Sequence, residues 1–196
     1  MKTFVFVFAL FTLETLTAPS IAQVPVVLTE RNVKIEKIIP AVVGTPDFTV
    51  TGTPPKRTAK QLKWLEIEVE FAVDGVPFAD ELTFKFDVKI NGKLCPGEIT
   101  HVNIPKGRDH FTVMYISPRN LERIMDGKLL TETAIENIWV QITKQGQRLA
   151  ILTLKKPATE IPVNIPQTQG MLTPKSETPF QVLWWDRYEA VKLPAR

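Results

Sequence analysis

Two stretches of strict alternation decide the class of fold open to this chain. Leu65, Ile67, Val69 and Phe71 are apolar, and Glu66, Glu68 and Glu70 stand between them. In residues 82–90, Leu82, Phe84, Phe86, Val88 and Ile90 alternate with Thr83, Lys85, Asp87 and Lys89. Successive side chains of a strand point to opposite faces, so this split means antiparallel strands with one dry face and one wet face. Asn91-Gly92 follows at once. Both residues tolerate positive φ, and a type I′ hairpin is expected there.

The rest of the chain supplies five more strands. Residues 33–39 alternate poorly, with Val33, Ile35 and Lys37 on one face and Lys34, Glu36 and Ile38 on the other, which suits a sheet edge. Residues 98–104, 110–116, 135–143 and 148–155 read as strands. Between the fifth and sixth strands a short helix is expected. Ser117 can cap it, Pro118 suits its first turn, Leu121, Ile124 and Met125 form its apolar stripe, and Gly127 ends it. Seven closely spaced strands with one helical turn predict an all-β, immunoglobulin-like sandwich over residues 23–156, with a β-barrel as the alternative. Residues 157–196 read as a proline-rich arm, carrying Pro157, Pro162, Pro166, Pro174 and Pro179. The arm ends in an expected strand at 180–185, with Phe180, Val182 and Trp184 on one face and Leu183 and Trp185 on the other. This strand would pack on the sandwich or on a partner.

Residues 1–22 have the layout of a secretory signal peptide. Lys2 supplies the positive start, Phe4 to Leu13 the apolar core, and Ser20 and Ala22 the small residues before a cleavage site ahead of Gln23. The apolar run is too short to span a membrane, and no transmembrane segment is expected after cleavage. The mature protein is therefore expected in the periplasm, at the outer membrane or outside the cell. The lone cysteine, Cys95, excludes an internal disulfide, so burial alone must hold the domain together. Leu94 and Pro96 flank it, which favours a buried thiol. No Asn-X-Ser/Thr sequon occurs, and an export without sequons or disulfides suggests a bacterial source. Net charge is +3, and the leader removes one lysine and one glutamate without changing it. The densest basic group, Lys56, Arg57, Lys60 and Lys63, lacks interleaved aromatics and reads as a solvated linker. No nucleic-acid partner is expected.

Motifs that carry chemistry are scarce. There is no Gly-X-Ser-X-Gly elbow, no His-Glu-X-X-His, no Cys-X-X-Cys and no phosphate-cradling glycine loop. The two histidines, His101 and His110, could meet across neighbouring strands and form a partial metal site with Asp109, although polar surface residues are the plainer reading. Glu66, Glu68 and Glu70 could suit calcium or a glycosidase pair, the plainer reading being a solvated strand face. No catalytic, metal or cofactor-binding residue is assigned, and no cofactor is expected. Trp184, Trp185 and Tyr188 are the candidates for contact with a partner or a glycan. They would serve either as anchors and subunit contacts or as a sugar-stacking platform.

Lys63-Trp64-Leu65-Glu66-Ile67-Glu68-Val69-Glu70-Phe71 and the block from Pro179 to Tyr188 give the chain a family likeness. Over most of residues 30–190 it resembles the pilus-like immunoglobulin-fold proteins that Verrucomicrobia encode beside type IV pilus genes. The resemblance implies a non-enzymatic surface or periplasmic component of a pilus or secretion apparatus, with other protein subunits as partners. Type IV pilins carry a long hydrophobic N-terminal helix, and nothing after Gln23 could form one. A carbohydrate-binding module is the competing expectation, and an unrecognised hydrolase a more distant one.

Overall fold

The computed structural model describes residues 27–48, 62–128, 130–155, 160–184 and 186–192. The expected leader over 1–22 lies outside them, as do Lys56, Arg57, Lys60 and Trp185. The elements are β1 (Val33–Gly44), β2 (Lys63–Ile90), β3 (Lys93–Ile116), α1 (Pro118–Ile124), β4 (Ile135–Lys144), β5 (Gln147–Thr153) and β6 (Leu172–Pro174). All seven expected strands are in place, but four of them join in pairs. Residues 65–71 and 82–90 are the two halves of β2, and residues 98–104 and 110–116 lie in the two halves of β3.

Those two long strands form a hairpin that folds back on itself. Phe71 and Phe84 lie on one strand, and full extension would hold them roughly 40 Å apart. Their ring centroids are 4.7 Å apart. On β3, His101 Nε2 likewise lies 2.7 Å from Thr112 Oγ1. The bend falls where the β2–β3 pairing shifts register, between Val73 and Phe78 opposite Pro105 to Gly107. Gly75 takes φ +72° there, a conformation that a side chain would strain.

Folding the hairpin over makes two layers. One layer contains β1, the first half of β2, the second half of β3 and β6; the other contains β5, β4, the second half of β2 and the first half of β3. Counted as seven segments, the first, second and fifth face the third, fourth, sixth and seventh. That is the division of an immunoglobulin-like sandwich with its fourth strand on the second layer. Leu65, Ile67, Val69 and Phe71 meet Leu82, Phe84, Phe86, Val88 and Ile90 in the core, all fully buried. Ile138, Val140 and Ile142 of β4 join them.

Local chemistry places the connections as expected. Asn91 and Gly92 take φ +49° and +73°, closing the hairpin through two left-handed residues. Ser117 Oγ accepts from the Asn120 N–H at the start of α1, and Gly127 ends its last turn at φ +80°. Leu121, Ile124 and Met125 turn into the core. Cys95 is free and buried, and burial pushes its thiol up to about 11, so it packs as a small apolar side chain. Among the described residues no helix is long and apolar enough to cross a membrane.

Two local expectations need correction. The poor alternation of β1 reflects a bulge: register shifts between Ile35 and Lys37, so Ile38 turns inward beside Val33 and Ile35. The strand then continues through Pro40 to Gly44, which an edge strand allows because no second neighbour needs the missing N–H. Asp87, placed on a wet face by alternation, is half-buried, and burial raises its carboxyl pKa.

Candidate functional site

The arm after β5 runs along the open edge of β3 and over the outer face of the first layer. Near its start the Leu94 N–H donates to Pro166 O and the Thr168 N–H to Leu94 O. β6 pairs with Met114 to Ile116. Further on, Tyr188 bridges to Phe111, the Val102 N–H donates to Ala190 O, and the Lys192 N–H donates to Thr100 O. An unpaired strand edge invites another chain, and this one is occupied near both of its ends.

Over its described residues, 180–184, the expected strand at 180–185 is absent. Residues 179–184 and 186–187 lie in turns and bends, in which the Gln181, Leu183 and Arg187 N–H groups donate to Thr178, Phe180 and Trp184 carbonyls. Phe180 is buried, whereas Val182 is 60% and Trp184 54% exposed, so the three share no face. Alternation misleads here because Phe180 has a pocket of its own. It stacks on Tyr115 with centroids 4.6 Å apart and meets the Trp64 ring edge-on at 5.5 Å. With Val113, Val43, Leu183 and Tyr188, these rings form a second apolar cluster outside the main core.

The acidic face of β2 is the other half of this attachment. Arg187 donates to both oxygens of Glu68, at 3.0 and 2.8 Å, and the Tyr188 hydroxyl donates to Glu68 Oε2 at 2.8 Å. The Arg187 guanidinium also lies over the Phe111 ring, 3.7 Å from its centroid. Tyr115 donates to Glu66 Oε2 at 2.8 Å. The solvated face expected of these glutamates is therefore covered at Glu66 and Glu68, by aromatics and by the arm, which fastens over the layer as a strap.

The histidines are likewise buried rather than on the surface. They sit on the inner side of β3, and Glu189 of the strap reaches both. His101 Nδ1 lies 3.0 Å from the Glu189 carbonyl, and His110 Nδ1 lies 2.6 Å from its carboxylate. Burial lowers the His101 pKa, favouring the neutral ring. Among the described residues no three His, Cys, Asp or Glu side chains are placed to hold a metal ion.

Of the three contact candidates, Tyr188 is an anchor, Trp184 is displayed to water, and Trp185 lies outside the described residues. Trp184 has φ +48°, a left-handed conformation uncommon for a bulky residue. Arg187 and Glu189, which fasten the strap, were not singled out by the sequence. The signal available was Arg187 beside a tyrosine, with a row of glutamates elsewhere lacking basic partners.

The two half-buried glutamates differ in electrostatics. Burial raises the Glu66 pKa against the opposing Tyr115 hydrogen bond. At Glu68, burial also raises, but the Arg187 and Tyr188 hydrogen bonds together outweigh it and the pKa falls. A carboxyl with a raised folded pKa stabilises below its unfolded value and loses that contribution as pH climbs through the folded one. A lowered pKa gives stability above the unfolded value near 4.5, lost as pH falls through the folded one. At pH 7, Glu66→Gln should therefore raise the melting temperature and Glu68→Gln should lower it. Shifts of the same sign in thermal denaturation would contradict this assignment.

Comparison with known proteins places this architecture. One family model matches residues 26–194. A crystal structure of a protein from Akkermansia muciniphila superposes with a TM-score of 0.73 and 25% sequence identity, covering 84% of this chain and 94% of that one. No match arises among curated proteins.

Proposed function

The chain belongs to the family whose model spans residues 26–194, and from that membership we propose a non-enzymatic, exported structural or interaction protein, an accessory or subunit of a pilus-like surface assembly. The similar structure comes from Akkermansia, one of the Verrucomicrobia. That supports the likeness to Verrucomicrobial pilus-like proteins already carried by residues 63–71 and 179–188. Its workplace is the periplasm, the outer membrane or the cell exterior, and its partners are other protein subunits.

The observation that carries this reading is the display of Trp184. A fastened strap holds a tryptophan and Val182 in water, on backbone strained toward the left-handed region. Backbone strain is retained where the surroundings enforce it, and an exposed Trp is the side chain that most often dominates a protein contact. The same exposed ring favours a second reading, a carbohydrate-binding module that stacks a sugar on Trp184.

In-cell crosslinking followed by pull-down separates the two. Trp184→Ala should reduce recovery of the crosslinked partner subunit by about tenfold or more, with an unchanged melting temperature. Undiminished recovery would remove Trp184 from the contact. Retention on a glycan array that vanishes in Trp184→Ala would favour the carbohydrate-binding reading instead.

A further inference from the structure

A cleft of about 440 Å³ lies at the bend of the folded hairpin, within the size range of small-molecule sites. Its lining includes Arg31, Lys34, Lys106 and Arg108 as cations and Glu36 and Asp74 as anions. Two of the four cations are neutralised in place: Lys34 lies 2.7 Å from Glu36, and Lys106 lies 3.0 Å from Asp74. Arg31 and Arg108 make no hydrogen bond or ion pair among the described residues. Arg31 and Arg108 are thus the two cations of the lining that stand outside its ion pairs, and the lining carries four cations against two anions.

The cleft is built on a rigid frame. Asn32 accepts from the Thr29 N–H at 2.9 Å, donates from Nδ2 to Asp74 O at 2.9 Å, and its carbonyl accepts from the Asp74 N–H at 2.8 Å. The chain segment carrying Arg31 is thereby pinned to the bend of β2. Asp74 in turn takes the Gly75 N–H at 2.7 Å and the Lys106 ammonium. The Lys106 hydrogen bond leads in holding the Asp74 carboxyl below its usual range, with Arg108 adding to it. Asp74 is thus hydrogen-bonded to Lys106 and acts on Arg108 only as a charge at longer range. Buried Val33 and Val73 are also part of the lining.

We propose that this cleft binds a tetrahedral oxyanion, a phosphate or sulfate ester, between Arg31 and Arg108. Guanidinium forks match the paired oxygens of such groups, and two unpaired forks balance a dianion. The ester could be carried by a sulfated saccharide or by a phosphorylated lipid headgroup. Both are accessible to an exported protein.

The test uses the mature chain at low ionic strength. Inorganic phosphate and sulfate should give saturable amide shifts at Gly75 and Gly107. Arg31→Gln and Arg108→Gln should each weaken binding by about tenfold or more, a change of about 1.4 kcal/mol. Arg148→Gln, on β5, should leave it unchanged, and all three variants should melt as the parent does. A sulfated disaccharide and vesicles containing phosphatidic acid then identify the source: the ester that binds more tightly than its free ion, and loses that gain in both cleft variants, is the ligand class. Absence of saturation, an equal loss in Arg148→Gln, or neither ester exceeding its free ion would overturn the proposal.

Discussion

Replacing Phe86 with alanine should cost about 3–5 kcal/mol, the range for removing a large buried aromatic. Phe86 is fully buried on β2, in the layer where that strand has neighbours on both sides, opposite Gly97 of β3 and Val140 of β4. The space it leaves cannot collapse easily, because β2 is held between two ladders there and β4 is held in turn by β5. The adjacent Lys85 points to water, and Lys85→Ala should change stability by less than about 0.5 kcal/mol. Denaturant titration of the two variants compares neighbouring residues on opposite faces. Comparable losses would mean that the inward and outward faces of β2 are misassigned.

Phe180→Ala should have a similar gross cost, about 3–5 kcal/mol, but in a different place. Phe180 lies in the outer cluster with Tyr115 and Trp64, and the main core is complete without it. A strap that loses this anchor can peel away while the sandwich stays folded, as locally opening segments do. Amide exchange should therefore accelerate at Val102 and Lys192, whose N–H groups bond across the strap boundary. Protection in the β2–β4 ladder should remain. Equal losses in both regions would show that strap and sandwich unfold as one unit. Deleting residues 179–196 should go further, exposing Tyr115 and Val113 and freeing the β3 edge, with concentration-dependent aggregation as the result.

Strand faces were legible in the sequence because alternation at 65–71 and 82–90 is clean and the inward face is apolar and buried throughout. The folded-back hairpin was not. Asp74-Gly75-Val76-Pro77 reads locally as a loop, and only the opposing β3 backbone keeps the ladder continuous on either side of it. The attachment of the strap was illegible for a related reason. Glu68 and Arg187 are distant in sequence, and an exposed glutamate row and a covered one have the same period. Alternation failed over 180–184 because Phe180 found a pocket while Val182 and Trp184, expected on its face, stayed exposed. The histidines were misread because short side chains with polar tips look alike on either face until Glu189 is seen beside them.

Because β2 and β3 each run through both layers, the chain cannot lengthen freely where they bend. In a sandwich whose layers are joined by loops, each connection tolerates insertion by itself. Here an added residue between Val73 and Phe78 must be matched opposite Pro105 to Gly107, or one layer slips by a position and its inward side chains turn outward. Insertions at the Asn91-Gly92 tip meet no such restriction, and they offer the natural control. The proposed anion cleft takes residues from both bends, so its spacing is held by the part of the fold least able to change length.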